Sequence, residues 1–246
     1  MKPEDILEQH GLFDVLEPAV SLANTVFIGQ HYVVRIAKYE HADHTREAEI
    51  ALHAVELGIR TAKPLFWAKN YSIYQRLDGS SATPDVPKAV WLEMLDDLKK
   101  FHAIPFEPRT LESMYWDGAL HLLESIFAAD LSPIQLRLAR EMLQPHTSSN
   151  LVFAHADAWR SNVMVKDNQY VGLIDWGNAS WQSLEREMAW LEDTALTLAL
   201  EQFDFNLPQL YARRLEIMLL AGMSGRGRIE DVRRVLEWFD GVTLNL

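Results

Sequence analysis

The texture of the chain changes near residue 80, and that change narrows the possible folds more than any other feature. Before it, segments rich in β-branched and aromatic residues read as strands: Ala19 to Gly29, His31 to Tyr39, Leu65 to Ala68 and Tyr71 to Leu77. A single helix interrupts them. Over Ala42 to Leu57, the residues Ala48, Ala51, Leu52 and Val55 fall at i, i+3, i+4 and i+7, and Gly58 follows as a left-handed C-cap, so one stripe of this helix packs on the sheet. The run from Asp78 to Pro87 concentrates Gly, Ser, Pro and Asp and reads as a connector. Beyond it Trp91, Met94, Leu95, Leu98, Phe101 and His102 share one helix face, and similar stripes recur around Tyr115 to Ala129 and Ile134 to Leu143. Strands first and helices after predict an α+β fold in two lobes, residues 1–77 and 78–246. No internal repeat or heptad run supports a solenoid or coiled coil.

The chain has 246 residues, 48% of them hydrophobic, enough for one large domain or two closely packed lobes with cores of their own. No apolar run approaches the ~18 residues of a membrane span. The N-terminus, Met1-Lys-Pro-Glu-Asp, turns acidic where a signal peptide would be basic and then apolar, so the expected compartment is the cytoplasm. The absence of cysteine excludes disulfide frameworks, thiolate zinc sites and cysteine nucleophiles together. A formal charge of −12 argues against nucleic acid or anionic membrane as a partner and is compatible with a cationic small molecule.

Strand texture returns once, at Leu151 to Ala154, Asn162 to Lys166 and Tyr170 to Ile174, the last two joined by the turn Asp167-Asn168-Gln169. Asp157 stands just after the first of these strands, Asn162 just before the second and Asp175 at the end of the third, so two tight connections would gather the three side chains at one edge. Taken singly, each is what Asp and Asn do at turns. Taken together, they match what phosphoryl transfer requires: one carboxylate to orient the attacking hydroxyl or take its proton, and oxygen ligands to hold Mg²⁺ against nucleotide phosphates. Asp157 suits the first task, Asn162 and Asp175 the second.

The arrangement His155-Ala-Asp157-Ala-Trp-Arg-Ser-Asn162, followed by Ile174-Asp175-Trp176, resembles the catalytic and metal-binding segments of the aminoglycoside-phosphotransferase and choline-kinase family, distant relatives of protein kinases. The resemblance implies a protein-kinase-like fold with a small, mostly antiparallel β N-lobe carrying one main helix and a larger, mainly helical C-lobe. It implies Asp157 as the catalytic aspartate, Asn162 and Asp175 as Mg²⁺ ligands, and His155 as a support for the catalytic loop. The family usually has Gly between the His and the Asp, and Ala156 matters if the backbone there needs positive φ or a very close neighbour.

Further elements of the resemblance occur in order across roughly residues 18 to 190. Tyr32 to Ile36 is similar to the strand whose basic residue binds nucleotide phosphates and pairs with a helix glutamate, which implies an Arg35–Glu47 pair. Lys38, three residues on, points to the other face of a strand. Asn24 lies where the family has its phosphate-covering loop, and Tyr71 to Gly79 is similar to the hinge, with Tyr74 bordering the base, Gln75 offering a carbonyl and Leu77 an amide. Glu187 stands where the family has a shorter Asp. The chain has no Walker-type loop, no Gly-x-Gly-x-x-Gly and no Gly-x-Ser-x-Gly elbow.

The expected activity is Mg²⁺-dependent transfer of the γ-phosphoryl group of ATP or GTP to a hydroxyl of a small, amine-bearing acceptor, with nucleotide and acceptor as the partners. The alternative is a regulatory protein that binds nucleotide without useful turnover, for which Ala156, Arg35 and Glu187 are the relevant departures. His41-Ala-Asp-His44 reads as a solvated helix start, and Glu192, Asp193, Glu201, Asp204 and Asp240 are carboxylates that a cationic acceptor would meet. Trp159 and Trp176 lie close to the motif, whereas the other tryptophans read as packing.

Overall fold

In a computed structural model, which describes residues 2–21, 24–39, 44–104, 116–143, 151–223 and 229–243, the β-branched segments of the N-terminal part pair into one antiparallel sheet. Its strands are β1 (Glu17–Ala19), β2 (Asn24–Ile28), β3 (Tyr32–Ala37), β4 (Pro64–Ala68) and β5 (Tyr71–Gln75), in the spatial order β1-β2-β3-β5-β4. Of the strand expected from Ala19 to Gly29, β2 takes Asn24–Ile28, and β1, which pairs antiparallel with it, lies ahead of it at Glu17–Ala19.

Alternation along the sheet sorts its two faces. Val34 and Ile73 point to one side, where they bury with Ile6 and Leu7 of α1 (Pro3–Gln9). Arg35, next in the chain, points to the other side, toward α2 (His44–Glu56), which buries Ala48, Ala51 and Ala54. Helix α1 is an addition to the elements expected from sequence, although Pro3 in the first turn with Glu4 and Asp5 beside it are helix-start signals. His44 is also corrected: it is buried, and its Nδ1 lies 3.0 Å from Ser72 Oγ, so it locks α2 to β5 rather than facing solvent. His41 to Asp43 lie outside the described residues.

The β2–β3 turn is held by Asp14, whose carboxylate accepts from the amides of Gln30 at 3.0 Å, His31 at 2.7 Å and Tyr32 at 3.1 Å. Gly29 makes this possible, because a Cβ there would stand 2.2 Å from Asp14 Oδ2. Loss of hydration works to raise the Asp14 carboxyl, but the amide hydrogen bonds outweigh it and hold the group below the ordinary carboxylate range. A lowered folded-state value contributes stability above the unfolded value, near pH 4, and that contribution is lost as pH falls through the folded value. Asp14→Ala should therefore melt below the wild type at pH 7, and the gap should narrow as thermal scans are repeated below about pH 4.

The chain gathers into two compact units, Met1–Ile104 with His155–Ser180, and Pro105–Ala154 with Trp181–Leu246. Besides the five-stranded sheet, the first unit holds β6 (Ser80–Ser81), a two-residue strand inside the expected connector, and α3 (Lys88–His102). The strands expected around the motif form as β7 (Leu151–Ala154), β8 (Val163–Lys166) and β9 (Gln169–Leu173); β6, β8 and β9 make a three-stranded sheet in the first unit. Asn162 closes a 3₁₀ turn just before β8, as its expected place ahead of the strand requires, and the strand itself begins one residue later than the expected Asn162 to Lys166.

The fully buried Asp97 of α3 fastens this unit. It accepts from the main-chain and side-chain nitrogens of Arg60, each at 3.1 Å, and from Lys100 at 2.6 Å, while the Arg60 guanidinium lies 4.3 Å over the Tyr170 ring. The Arg60 carbonyl accepts from the Leu173 amide, an approach that leaves no room for a side chain at Gly172, where a Cβ would be 2.6 Å from Arg60 O.

In the second unit β7 pairs with β10 (Ser180–Ser183), and the described helices are α4 (Trp116–Leu122), α5 (Pro133–Met142), α6 (Leu184–Ala189), α7 (Asp193–Leu200), α8 (Leu207–Met223) and α9 (Ile229–Thr243). Helix α4 continues through a π turn and a 3₁₀ turn to Asp130, and α5 opens with a reciprocal Ser132–Gln135 capping box. The buried Arg214 joins α6 to α7, donating to the carbonyls of Ala189 and Leu191 and to Asp193 at 2.5 Å. Asp193 is thereby engaged inside this unit and also accepts from Arg234 at 3.3 Å. Among the described residues no helix is long and apolar enough to cross a membrane. The fold is mixed α+β, an antiparallel-sheet N-terminal part followed by a helical C-terminal part.

Candidate active site

The motif residues are tied to one another chiefly through the main chain. The buried His155 donates from Nε2 to the Ile174 carbonyl at 3.1 Å, and its ring packs 4.5 Å from that of Trp176. The Ile174 amide donates to the Asn162 carbonyl at 2.9 Å, and Asn162 Nδ2 donates to the main-chain carbonyl of Asp157 at 2.9 Å. The segment that carries Asp157 and Asn162 is thereby stapled to the end of β9, just before Asp175. Trp176 anchors that end from behind: it is buried, donates from Nε1 to Thr61 Oγ1 at 2.8 Å and packs on Phe101. Trp159 lies half-buried in the segment between Asp157 and Asn162, with the Arg160 guanidinium 5.8 Å from its ring centre.

Two residues of the site adopt left-handed backbone conformations without being glycine, Ala156 at φ 63° and Asp175 at φ 68°. Positive φ is the condition under which the Gly-to-Ala departure matters. An L-residue in this region costs roughly 1–2 kcal/mol, and replacing Gly by Ala returns about 0.4–1 kcal/mol through the unfolded chain. Ala156→Gly should therefore stabilise the protein, by about 0.5–1 kcal/mol, read as a rise in denaturation midpoint with an unchanged slope.

Arg35 of β3 reaches the same edge. One guanidinium nitrogen pairs with Glu47 of α2, and Nη2 donates to Asp175 Oδ1 at 3.2 Å, so the cation bridges the helix carboxylate and the motif carboxylate. Burial works against the Arg35 charge, but Glu47 and Asp175 outweigh it and hold the guanidinium firmly protonated. Burial pushes the Glu47 carboxyl up and Asp175 adds to that, while Arg35 pulls against both. The Tyr74 phenol, pushed well up by burial and then by Glu47, stays neutral.

Beside this trio lies a cavity of roughly 230 Å³. Its lining is mainly apolar, with Val26, Ile28 and Val33 from β2 and β3, and Met164, Ile174 and Trp176 from the motif region. Arg35, Glu47 and Asp175 contribute charge, and Tyr74, Leu77 and Gly79 come from the hinge-like segment. Every lining residue belongs to the first compact unit.

Asp157, Asn162, Asn24 and Gln75 are not among the described side chains that line this cavity. Asn24 is buried at the start of β2, across from Ala37, and Gln75 is exposed with its amide donating to Lys63 O at 2.8 Å. Lys38 does not line the cavity and donates to the main chain of Ser21, which does, at 2.6 Å. Glu187 is fully buried in α6 of the second unit. Thr61, Ala62 and Met164 join the lining without any local signature that would have singled them out in the sequence.

The sequence profile of the phosphotransferase enzyme family matches residues 15–202. Among curated proteins, none matches the sequence. Solved structures of similar fold include an aminoglycoside phosphotransferase in complex with GDP and kanamycin, at TM-score 0.67 and 15% identity, covering 98% of this chain and 97% of that one. A macrolide 2′-phosphotransferase from Brachybacterium faecium is similar at TM-score 0.63 and 14% identity over 95% of both chains. A choline/ethanolamine kinase family protein from Mesorhizobium loti is similar at TM-score 0.59 and 15% identity, over 92% of this chain and 87% of that one.

Proposed function

The chain belongs to the phosphotransferase enzyme family, and from that premise we propose that it transfers the γ-phosphoryl group of ATP or GTP to a hydroxyl of a small, amine-bearing acceptor. The observation that carries this reading is the bridging of Glu47 and Asp175 by Arg35 beside a largely apolar cavity, with Asp157 and Asn162 stapled to Ile174, between the end of β9 and Asp175. An apolar cavity with charge from a few residues suits a base with its phosphates attached. Residues 1–77 act in this reading as the nucleotide-binding part and 78–246 as the catalytic and acceptor-binding part.

Arg35, held by Glu47, binds phosphate; Tyr74 borders the base, Gln75 offers a main-chain carbonyl and Leu77 an amide at the hinge, and Asn24, at the start of β2, neighbours the phosphates. Asp157 orients the acceptor hydroxyl and takes its proton as the oxygen attacks the γ-phosphorus and the bond to the β–γ bridging oxygen breaks, releasing ADP or GDP. His155 holds the loop that carries Asp157. The donor set fits a hard cation: Asp175 supplies a carboxylate, and Asn162, whose Nδ2 is committed to Asp157 O, supplies its amide oxygen. Mg²⁺ held by these two would neutralise charge on the transferred phosphate.

Structures of similar fold contain GDP with kanamycin, and ATP with streptomycin, which supports a nucleotide donor and an amine-bearing acceptor. A net charge of −12 suits a cationic acceptor, and a nucleotide donor suits the cytoplasm. The test is consumption of ATP and GTP with Mg²⁺ across aminoglycosides, amino-alcohols and choline, beside nucleotide-dependent melting. At least one acceptor should give turnover; nucleotide that raises the melting temperature while no acceptor is phosphorylated would count against the enzyme reading and for a regulator.

A further inference from the structure

Arg46 and Glu47 are neighbours in α2, and both take hold of the segment that follows β9. Glu47 does so through Arg35 and Asp175. Arg46 does so directly: Nη1 donates to the Gly177 carbonyl at 3.1 Å and Nη2 donates to the Ala179 carbonyl. These two carbonyls flank Asn178, the last residue of a 3₁₀ turn that starts at Trp176. Asn178 Nδ2 in turn donates to Asp157 Oδ2 at 3.4 Å. Asp157 is therefore held at its main-chain carbonyl by Asn162 and at its carboxylate by Asn178.

We propose that Arg46 and Asn178 are positioning residues for phosphoryl transfer: Arg46 fixes the Trp176–Asn178 turn to α2, and Asn178, presented by that turn, sets the orientation of the Asp157 carboxylate. The inference rests on Asp157 being the group that receives the acceptor's proton. Both residues are exposed, and neither fills core volume. The turn passes close to the nucleotide-site carboxylate as well, since a Cβ on Gly177 would lie 3.6 Å from both Asp175 Oδ1 and Glu47 Oε2.

The contact is a hydrogen bond from an amide to a carboxylate, and a neutral donor at 3.4 Å directs one oxygen without itself bringing a charge. Arginine suits the tether because its planar fork spans two carbonyls at once, which a lysine ammonium does not reproduce. One helix thus carries the Glu47 partner of the phosphate-binding Arg35 and the tether for the turn that aims the base. Setting α2 in place sets both.

Turnover is read on the full chain with Mg²⁺ and ATP or GTP, with water as acceptor and then with kanamycin or choline added, in wild type, Asp157→Asn, Asn178→Ala, Asn178→Asp, Arg46→Lys and Arg46→Met. Asn178→Ala and Arg46→Met should lower kcat about tenfold, with the nucleotide KM and melting temperature unchanged in Asn178→Ala. Asn178→Asp keeps the shape but sets a second carboxylate against Asp157, and should lower kcat further, about a hundredfold. Arg46→Lys should lie between wild type and Arg46→Met. A side chain that merely fills space predicts the opposite order, with the isosteric Asp tolerated better than Ala. That order, or wild-type turnover in both Asn178 variants while Asp157→Asn is silent, overturns the proposal. Wild-type turnover in Asp157→Asn would instead remove the role given to Asp157.

Discussion

Asp157→Ala is expected to lower phosphoryl transfer by about 10²–10⁴-fold, the usual contribution of a positioned general base, while nucleotide binding persists. The geometry separates the two effects. The described cavity lining does not include Asp157, so its truncation leaves the nucleotide's walls in place. The hydrogen bond from Asn162 Nδ2 goes to the main-chain carbonyl of residue 157 and survives the change to alanine, so Asn162 keeps its orientation. His155 still staples the segment to Ile174. The expected pattern is a kcat near background with an unchanged rise in melting temperature on adding Mg²⁺ with ADP or GDP. Loss of both would mean that Asp157 holds the nucleotide site together and is not its base.

The contrast between Asp157 and the tether behind it shows what a sequence can carry. Asp157, Asn162 and Asp175 stand out in the sequence because three oxygen side chains fall at strand ends with spacings that few turns share, and the Arg35–Glu47 pair, which the structure forms, is readable because a strand and a helix with the right faces carry it. Helix α1 is readable too, from Pro3, Glu4 and Asp5, but seven residues make a weak periodic signal. Strand β6, two residues long, has no period at all and exists because β8 offers it an edge. Arg46 and Asn178 leave no trace: an exposed arginine on a helix reads as a solvated charge, and an asparagine after glycine reads as a turn. Their partners are backbone carbonyls and a carboxylate more than 20 residues away, which no local pattern encodes. Ala156 is instructive in another way. Only the family resemblance singles it out, since alanine gives no hint of a left-handed backbone, and the structure places it at φ 63°.

Arg35→Met should cost about 3–5 kcal/mol of stability, the penalty for leaving a buried carboxylate without its cation, and should weaken nucleotide binding at the same time. The side chains of Arg35 and Glu47 are 13% and 8% exposed, so water repays little of the lost pairing, and the carboxylate of Asp175 would then repel that of Glu47 with no charge between them. The two losses are separable. In Arg35→Met/Glu47→Leu the uncompensated charge is gone, and most of the stability should return, as it does when buried ion pairs elsewhere are replaced by apolar residues of similar volume. Nucleotide binding should not return, because the phosphates would still lack the guanidinium. Arg35→Lys should fall between wild type and Arg35→Met in both quantities, since a point charge serves one carboxylate well but cannot span Glu47 and Asp175 together. Denaturation midpoints and nucleotide-dependent melting shifts for the three variants read both quantities. If the double variant regained nucleotide affinity along with stability, Arg35 would be a strut for α2 rather than a phosphate ligand, and the phosphate contact would have to come from another lining cation, Arg76.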